Sequence, residues 1–446
     1  MAVMAIFIIG DETLLLRCLE KINRLAIKYS KFNLTFCLMF KNTYFFLLTI
    51  LILELISCGS VSQNIETLSL QKISKNNEPI LVGANQTDWY LPLLKDKTVA
   101  VVANQTSVIF KKNGIEYTHL VDSLLNLNVK ITKVFAPEHG FRGQADAGEL
   151  ILNAIDAKTK LPLISLYGAN KKPTPEQLKQ VDVVIFDIQD VGVRFYTYIS
   201  TLHYVMEACA EAHVKLLVLD RPNPNGHYVD GPVLEMPFTS FVGMHPVPLV
   251  YGMTIGEYAQ MINGENWLAK RLKCDLKVIP IKNYTHQSAY HLPIKPSPNL
   301  PNDKAINLYA SLAFFEGTNV SCGRGTELQF QIFGAPFLPL NKYPFNFIPQ
   351  PNAGSKNPVH QDKLCHGLDL SSSESLNHIQ LNWLINAYQT TADKAHFFNN
   401  YFTNLAGTKK LQYQIEQGLT QEAIKKTWQV DLDKFNSIRS IYLIYK

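Results

Sequence analysis

Glu138 is the carboxyl group whose setting first suggests proton chemistry. It lies in Ala136-Pro137-Glu138-His139-Gly140-Phe141-Arg142-Gly143, directly after an apolar run. There it can act as a general acid if partial burial raises its pKa, or as a base or nucleophile if it stays ionised. His139 can orient it, and Arg142 offers a cation for a bound ligand. The plainer reading is an acidic residue that closes a loop. Glu-His adjacency also occurs in metal sites, but no HExxH pattern or close third ligand follows, so no metal is expected.

A second concentration is Asp187-Ile188-Gln189-Asp190-Val191-Gly192-Val193-Arg194-Phe195-Tyr196-Thr197-Tyr198. Asp187 and Asp190 supply carboxylates, Arg194 can grip an acidic substituent, and Tyr196 and Tyr198 can wall a sugar. An internal network pairing either aspartate with Arg194 explains the same residues equally well. Asn104 and Gln105, then Asp220, Arg221 and Asn223, are polar groups at further strand ends where ligand hydroxyls could bind. His245 reads either as a lid residue or as a structural histidine. Glu316-Gly317-Thr318-Asn319 and Gly323-Arg324-Gly325-Thr326 add Glu316, Asn319 and Arg324, the last able to fork onto an anion or to form a domain-interface ion pair. No GxSxG elbow is present and Cys322 has no base beside it, which disfavours serine and thiol nucleophiles.

Positioning these groups falls to alternating β and α segments. Strands are expected at 99–103, 130–135, 161–166, 181–188 and 215–220, with helices at 119–127 and 200–212. Apolar strands separated by helices predict an α/β fold: a Rossmann-like, mostly parallel sheet with helices on both faces. Its polar strand ends would share one crevice. No Gly-rich dinucleotide fingerprint or Walker loop follows the first strand, so no cofactor is expected. Residues 226–251 read as irregular, 254–263 as a helix, and 275–281 as a further strand. After an extended, proline-rich stretch at 284–303, helical patterns recur at 308–315, 376–388, 394–402, 420–429 and 431–445. The division drawn is a domain at 79–270 and a smaller α+β domain at 271–446.

The 446 residues carry 42 Lys+Arg against 37 Asp+Glu without a dense basic run, giving no support for a nucleic-acid partner. Seven scattered cysteines form no CxxC pair. Residues 39–57 read as an export signal ending at Leu55-Ile56-Ser57-Cys58-Gly59, which resembles a bacterial lipoprotein cleavage box with Cys58 as the lipidated residue. Residues 58–78 would be a polar tether, and 1–38 an extension dispensable for export, with Met39 a plausible start. The competing reading is an uncleaved anchor over 32–56. Either places the domain at the cell envelope, outside the cytoplasm.

The strings around Asn104, Glu138, Asp187 and Asp220, with Phe315-Glu316-Gly317-Thr318-Asn319, Gly323-Arg324-Gly325-Thr326 and the segment from Trp428 to Tyr445, resemble the bacterial exo-β-N-acetylmuramidase family over residues 80–446. That family was long known as a domain of unknown function. The resemblance implies removal of non-reducing terminal N-acetylmuramic acid from peptidoglycan glycans or muropeptides by cleavage of a β-1,4 bond. It further implies an active site in or near a cleft between two domains, with Glu138 as general acid and His139 beside it. Asp187, Asp190 and Glu316 then compete for the second catalytic role, or the substrate's N-acetyl group acts as nucleophile. Arg194 or Arg324 is the expected partner of the lactyl carboxylate. A non-catalytic wall-fragment receptor and an exo-hydrolase of another acetylated amino sugar are the alternatives.

Overall fold

The computed structural model describes residues 78–111, 114, 116–142 and 153–445. The export signal, Cys58 and nearly all of the tether lie outside them. Twelve strands are found among the described residues: β1 (Thr98–Ala103), β2 (Val108–Phe110), β3 (Tyr117–His119), β4 (Lys130–Ala136), β5 (Ala154–Ile155), β6 (Pro162–Ser165), β7 (Val183–Asp187), β8 (Lys215–Leu219), β9 (Leu276–Ile279), β10 (Ile332–Ala335), β11 (Phe345–Phe347) and β12 (Cys365–Asp369). The accompanying α-helices are α1 (Thr87–Leu94), α2 (Leu120–Asn126), α3 (Pro175–Leu178), α4 (Tyr198–Ala212), α5 (Ile255–Gly264), α6 (Asp303–Leu312), α7 (Asn382–Thr390), α8 (Phe402–Ala406), α9 (Lys410–Glu416), α10 (Gln421–Lys426) and α11 (Gln429–Tyr442).

The large sheet runs β5-β6-β4-β1-β7-β8-β9, parallel except for the edge strand β5. Counting only parallel strands, the order is third, second, first, fourth, fifth, sixth, the doubly wound arrangement of a Rossmann-like sheet. Thr-Val-Ala-Val-Val-Ala at β1 shows why: β-branched residues without polar alternation suit a strand covered on both faces. Ala100 and Val102 enter one apolar layer with α4 and α5, whereas Val99, Val101 and Ala103 enter the other with α1 and α2. Helices therefore cover both faces. β9 adds residues 276–279 to this sheet, alongside β8.

The first apolar layer continues without interruption into α6, α7 and α11, so the C-terminal part shares a core with the sheet. That part also carries a small antiparallel sheet, β10-β12-β11, giving the smaller α+β region. Residues 226–251 are irregular apart from a short 3-10 turn at Met236–Phe238. Thr254 caps α5 through a reciprocal box with Glu257, fixing where the helix begins after that irregular stretch.

Candidate active site

Glu138 stands just beyond the carboxyl end of β4, on a cleft of about 500 Å3. The turn that presents it is built from two successive residues in the left-handed region, His139 at φ 70° and Gly140 at φ 76°. A histidine held at positive φ beside a cleft-lining carboxyl marks a position where the backbone accepts strain to aim a side chain. Thr197, at the start of α4, donates its hydroxyl to Glu138 Oε2 at 2.6 Å. Tyr167, in the loop after β6, also hydrogen-bonds the Glu138 carboxyl; burial, followed by the charge of Glu138, pushes the Tyr167 phenol up. Glu138 itself is only 9% exposed.

Residues from the C-terminal part complete the cleft: Tyr309 of α6, Glu316 in the 3-10 turn after it, Arg324, and Tyr401 ahead of α8. Arg324 Nη1 donates to Glu316 Oε1 at 2.7 Å and Nη2 to the Gly354 carbonyl at 3.2 Å. Burial, the largest single influence on Arg324, opposes its charge, but Glu316 and the other groups around it together raise it and the net shift is upward. Burial, then Glu316, then Glu138 raise the Tyr401 phenol, so one tyrosine feels both acids.

The remaining wall is a proline-rich strap at 293–300. Tyr196, a lining residue, donates to the Pro296 carbonyl at 2.7 Å, and Gln105 Nε2 donates to the carbonyls of Lys295 and Pro296 at 3.2 and 3.1 Å. Behind Tyr196, Asn104 Nδ2 donates to the Tyr198 hydroxyl at 2.8 Å, and that hydroxyl reaches the Glu138 carbonyl at 3.4 Å. The strap held this way presents Ser297, Asn299 and Leu300 to the cleft. Asn104, Gln105 and Tyr198 thus support its walls, while Tyr196 lines it.

Several expected ligand-binding groups serve the scaffold instead. Arg194 is fully buried: Nη1 donates to the carbonyls of Pro232 and Val247, both at 2.8 Å, and Nη2 to those of Leu405 and Ala406 at 3.1 and 2.7 Å. Such an arginine cannot hold a lactyl carboxylate, and that expectation is corrected. Nor does it pair with either aspartate. Asp187 is the buried partner of Arg221, at 2.6 Å from Nε and 2.9 Å from Nη2, so both leave the list of groups able to touch substrate. Asp190 Oδ2 accepts from the Gly192 N–H at 2.7 Å and from Tyr251; burial pushes its pKa up to about 6. It stands outside the cleft, which excludes it as the second catalytic carboxyl.

Asp220 is similarly enclosed, taking hydroxyls from Thr254 at 2.7 Å and Tyr445 at 2.6 Å, and burial raises it to about 7. Asn223 donates to the Met253 carbonyl at 2.8 Å and crowds Gly192, where an added Cβ would sit 2.1 Å from its side-chain oxygen. Since Gly192 also has φ 75°, glycine is required there on two counts. His245 is stacked on Trp267 and bonded to His203 and Tyr258 at 2.9 Å each, a structural histidine rather than a lid. Arg142 pairs with Asp156 at 3.0 Å, and Asn319 bonds Phe397 and His360 through its backbone; neither lines the cleft.

Thr197, Tyr167, Lys171, Phe241, Asn299 and Tyr401 are lining groups that sequence reasoning passed over. Thr197 lay inside a noted string, and Tyr167 follows a recognised strand, so position at a strand or helix end was their available signal. Tyr401 had none.

Residues 99–304 match the family model described as exo-beta-N-acetylmuramidase NamZ, N-terminal, and residues 307–445 match its C-terminal counterpart. The peptidoglycan beta-N-acetylmuramidase NamZ of Bacillus subtilis is 38% identical over 376 residues, covering 80% of this chain and 89% of that protein. Two crystal structures of DUF1343 family proteins from Bacteroides fragilis also align. The first has 47% identity, a TM-score of 0.75 and coverage of 83% of this chain and 99% of its own. The second has 30% identity, a TM-score of 0.69 and coverage of 82% and 99%. With both halves of the cleft matched in order, this chain belongs to the exo-β-N-acetylmuramidase family.

Proposed function

We propose that the protein is an exo-acting glycoside hydrolase that releases non-reducing terminal N-acetylmuramic acid from peptidoglycan fragments, with Glu138 moving the proton at the glycosidic oxygen. The observation that carries this reading is the pairing of Glu138 with hydroxyl partners in a cleft that also contains Glu316. Hydroxyls donate to a carboxylate and can equally accept from a carboxylic acid, so Thr197 and Tyr167 can hold Glu138 in both protonation states. A group that gives a proton to a leaving oxygen and later recovers one needs that property.

Glu316 is the second acid on the cleft. Its ion pair with Arg324 fixes its direction, and its charge supports the positive charge that develops at the anomeric carbon, acting on the sugar or on the substrate's acetamido group. The aromatic residues Tyr196, Tyr309 and Tyr401 give the sugar ring a wall and exclude water. Export and lipidation at Cys58 would bring this chemistry to the compartment where peptidoglycan lies. Radiolabelled palmitate incorporation that persists in a Cys58→Ala variant would exclude the anchor.

The direct test supplies the protein with a disaccharide bearing a β-linked non-reducing N-acetylmuramic acid and measures the free sugar by mass spectrometry. Release by the protein, and its loss in a folded Glu138→Gln variant, is the expected result. Binding of the disaccharide by both without release would make the cleft a receptor.

A further inference from the structure

We propose that Lys171, held over the face of Phe241, reads the lactyl carboxylate of the terminal sugar. This rests on the muramidase reading above. With Arg194 buried among carbonyls, the lining residues offer two permanent cations, Arg324 and Lys171. Arg324 keeps an unpartnered Nε, but one Nη donates to Glu316 and the other to the Gly354 carbonyl, so its charge is already matched by a carboxylate of the chain. Among the described residues Lys171 has no carboxylate partner. Its ammonium rests 4.7 Å from the centroid of the Phe241 ring, a cation–π contact that positions a charge without neutralising it.

The loop around it explains why this ammonium faces the cleft. Adjacent Lys172 turns to α4, where it pairs with Glu207 at 2.6 Å and Glu211 at 2.8 Å. Thr174 then caps α3 through a reciprocal box with Gln177. On the other side Tyr167 is tied to Glu138. Both ends of the short 167–174 loop are therefore anchored, leaving Lys171 half-buried between them. Phe241 is itself fixed, with its ring 6.3 Å from Tyr204 in a stacked arrangement and 6.1 Å from Tyr167. A continuous path, Glu138 to Tyr167 to Phe241 to Lys171, thus links the proposed proton donor to the proposed carboxylate receptor. Lys171 is a specificity residue in this account, and proton transfer stays with Glu138.

Two disaccharides test it, one with β-linked N-acetylmuramic acid at the non-reducing end and the other with the lactyl carboxylate converted to its carboxamide. For the unchanged protein kcat/KM should favour the carboxylate by about ten- to a hundredfold, the range for a hydrogen bond to a charged group. In Lys171→Met that ratio should fall to near one, and Lys171→Arg should restore most of it. A ratio that survives Lys171→Met, or is near one in the unchanged protein, overturns the proposal while the muramidase reading stands. Failure of the unchanged protein to hydrolyse either disaccharide overturns the muramidase reading and this proposal with it.

Discussion

Two sets of carboxylates in this fold have opposite surroundings. Glu138 and Glu316 open onto the cleft, with hydroxyl and guanidinium partners at its walls. Asp187, Asp190 and Asp220 are 0–4% exposed and are enclosed by partners from the chain itself. Glu138, Asp187 and Asp220 share a place at the end of a parallel strand; what differs is whether the surrounding shell leaves room for another molecule. In an open sheet the crevice beside the first and fourth parallel strands is the usual ligand place. Here the Asp187–Arg221 pair fills that place, and the cleft that holds Glu138 lies toward β4 and the C-terminal residues.

The comparison breaks most sharply at Glu138. Glu138→Gln should lower the turnover rate by about 10²- to 10⁴-fold while unfolding free energy stays within about 1 kcal/mol of the parent, measured by urea titration. An equal loss of activity and stability would put Glu138 with the scaffold set. Asp187→Asn should do the reverse, costing about 3–5 kcal/mol because Arg221 is left charged and unpaired in the interior. The fraction that remains folded should turn over at nearly the parental rate; a selective fall in kcat with stability intact would return Asp187 to the catalytic set.

Asp190 sharpens the contrast through pH. Folding raises its carboxyl from 3.8 to about 6, chiefly by burial, so the native state holds the proton more tightly than the unfolded chain. Its contribution to stability is therefore complete below about pH 4 and is lost as pH rises through about 6. Asp190→Asn removes that dependence. Relative to the parent, the variant should gain up to about 3 kcal/mol between pH 4 and 7, at 1.36 kcal/mol per pKa unit. Parallel stability curves across this range would rule the effect out. The smallest effect is expected from Tyr445→Phe, which removes a hydroxyl bonded to Asp220 and to the Ile281 N–H. It should cost about 1–2 kcal/mol in urea unfolding and leave KM unaltered; a raised KM would connect the tail to the substrate.

Much of the sheet was legible because β1, β7 and β8 are largely continuous apolar runs and β4 ends in one at Val134-Phe135-Ala136, a pattern with few alternative uses. The β10-β12-β11 sheet was not. Its strands are short, and β10 and β12 meet at Gly334 and Gly367, which carry no side-chain pattern to read. At the cleft, Glu138, Glu316 and Arg324 could be found from strand-end position and glycine-flanked polar groups. Arg194 was misread because its carbonyl partners come from residues 232, 247, 405 and 406, distant in sequence and invisible to local spacing. Asp190 misled for the same reason, since its phenol partner is Tyr251.

The long reach of Arg194 and Asp220 also orders events during synthesis. When the ribosome has made residues 79–279, all seven strands of the large sheet exist, yet Arg194 lacks the carbonyls of Leu405 and Ala406 and Asp220 lacks the Tyr445 hydroxyl. Glu316, Arg324 and Tyr401 have not been made either. Until Leu405, Ala406 and Tyr445 arrive, Arg194 has only the Pro232 and Val247 carbonyls, and Asp220 only the Thr254 hydroxyl and the N–H groups of Arg221 and Gly256. The hydrolase gains its finished fold and its finished cleft from the same late-arriving residues, so a prematurely terminated chain lacks both.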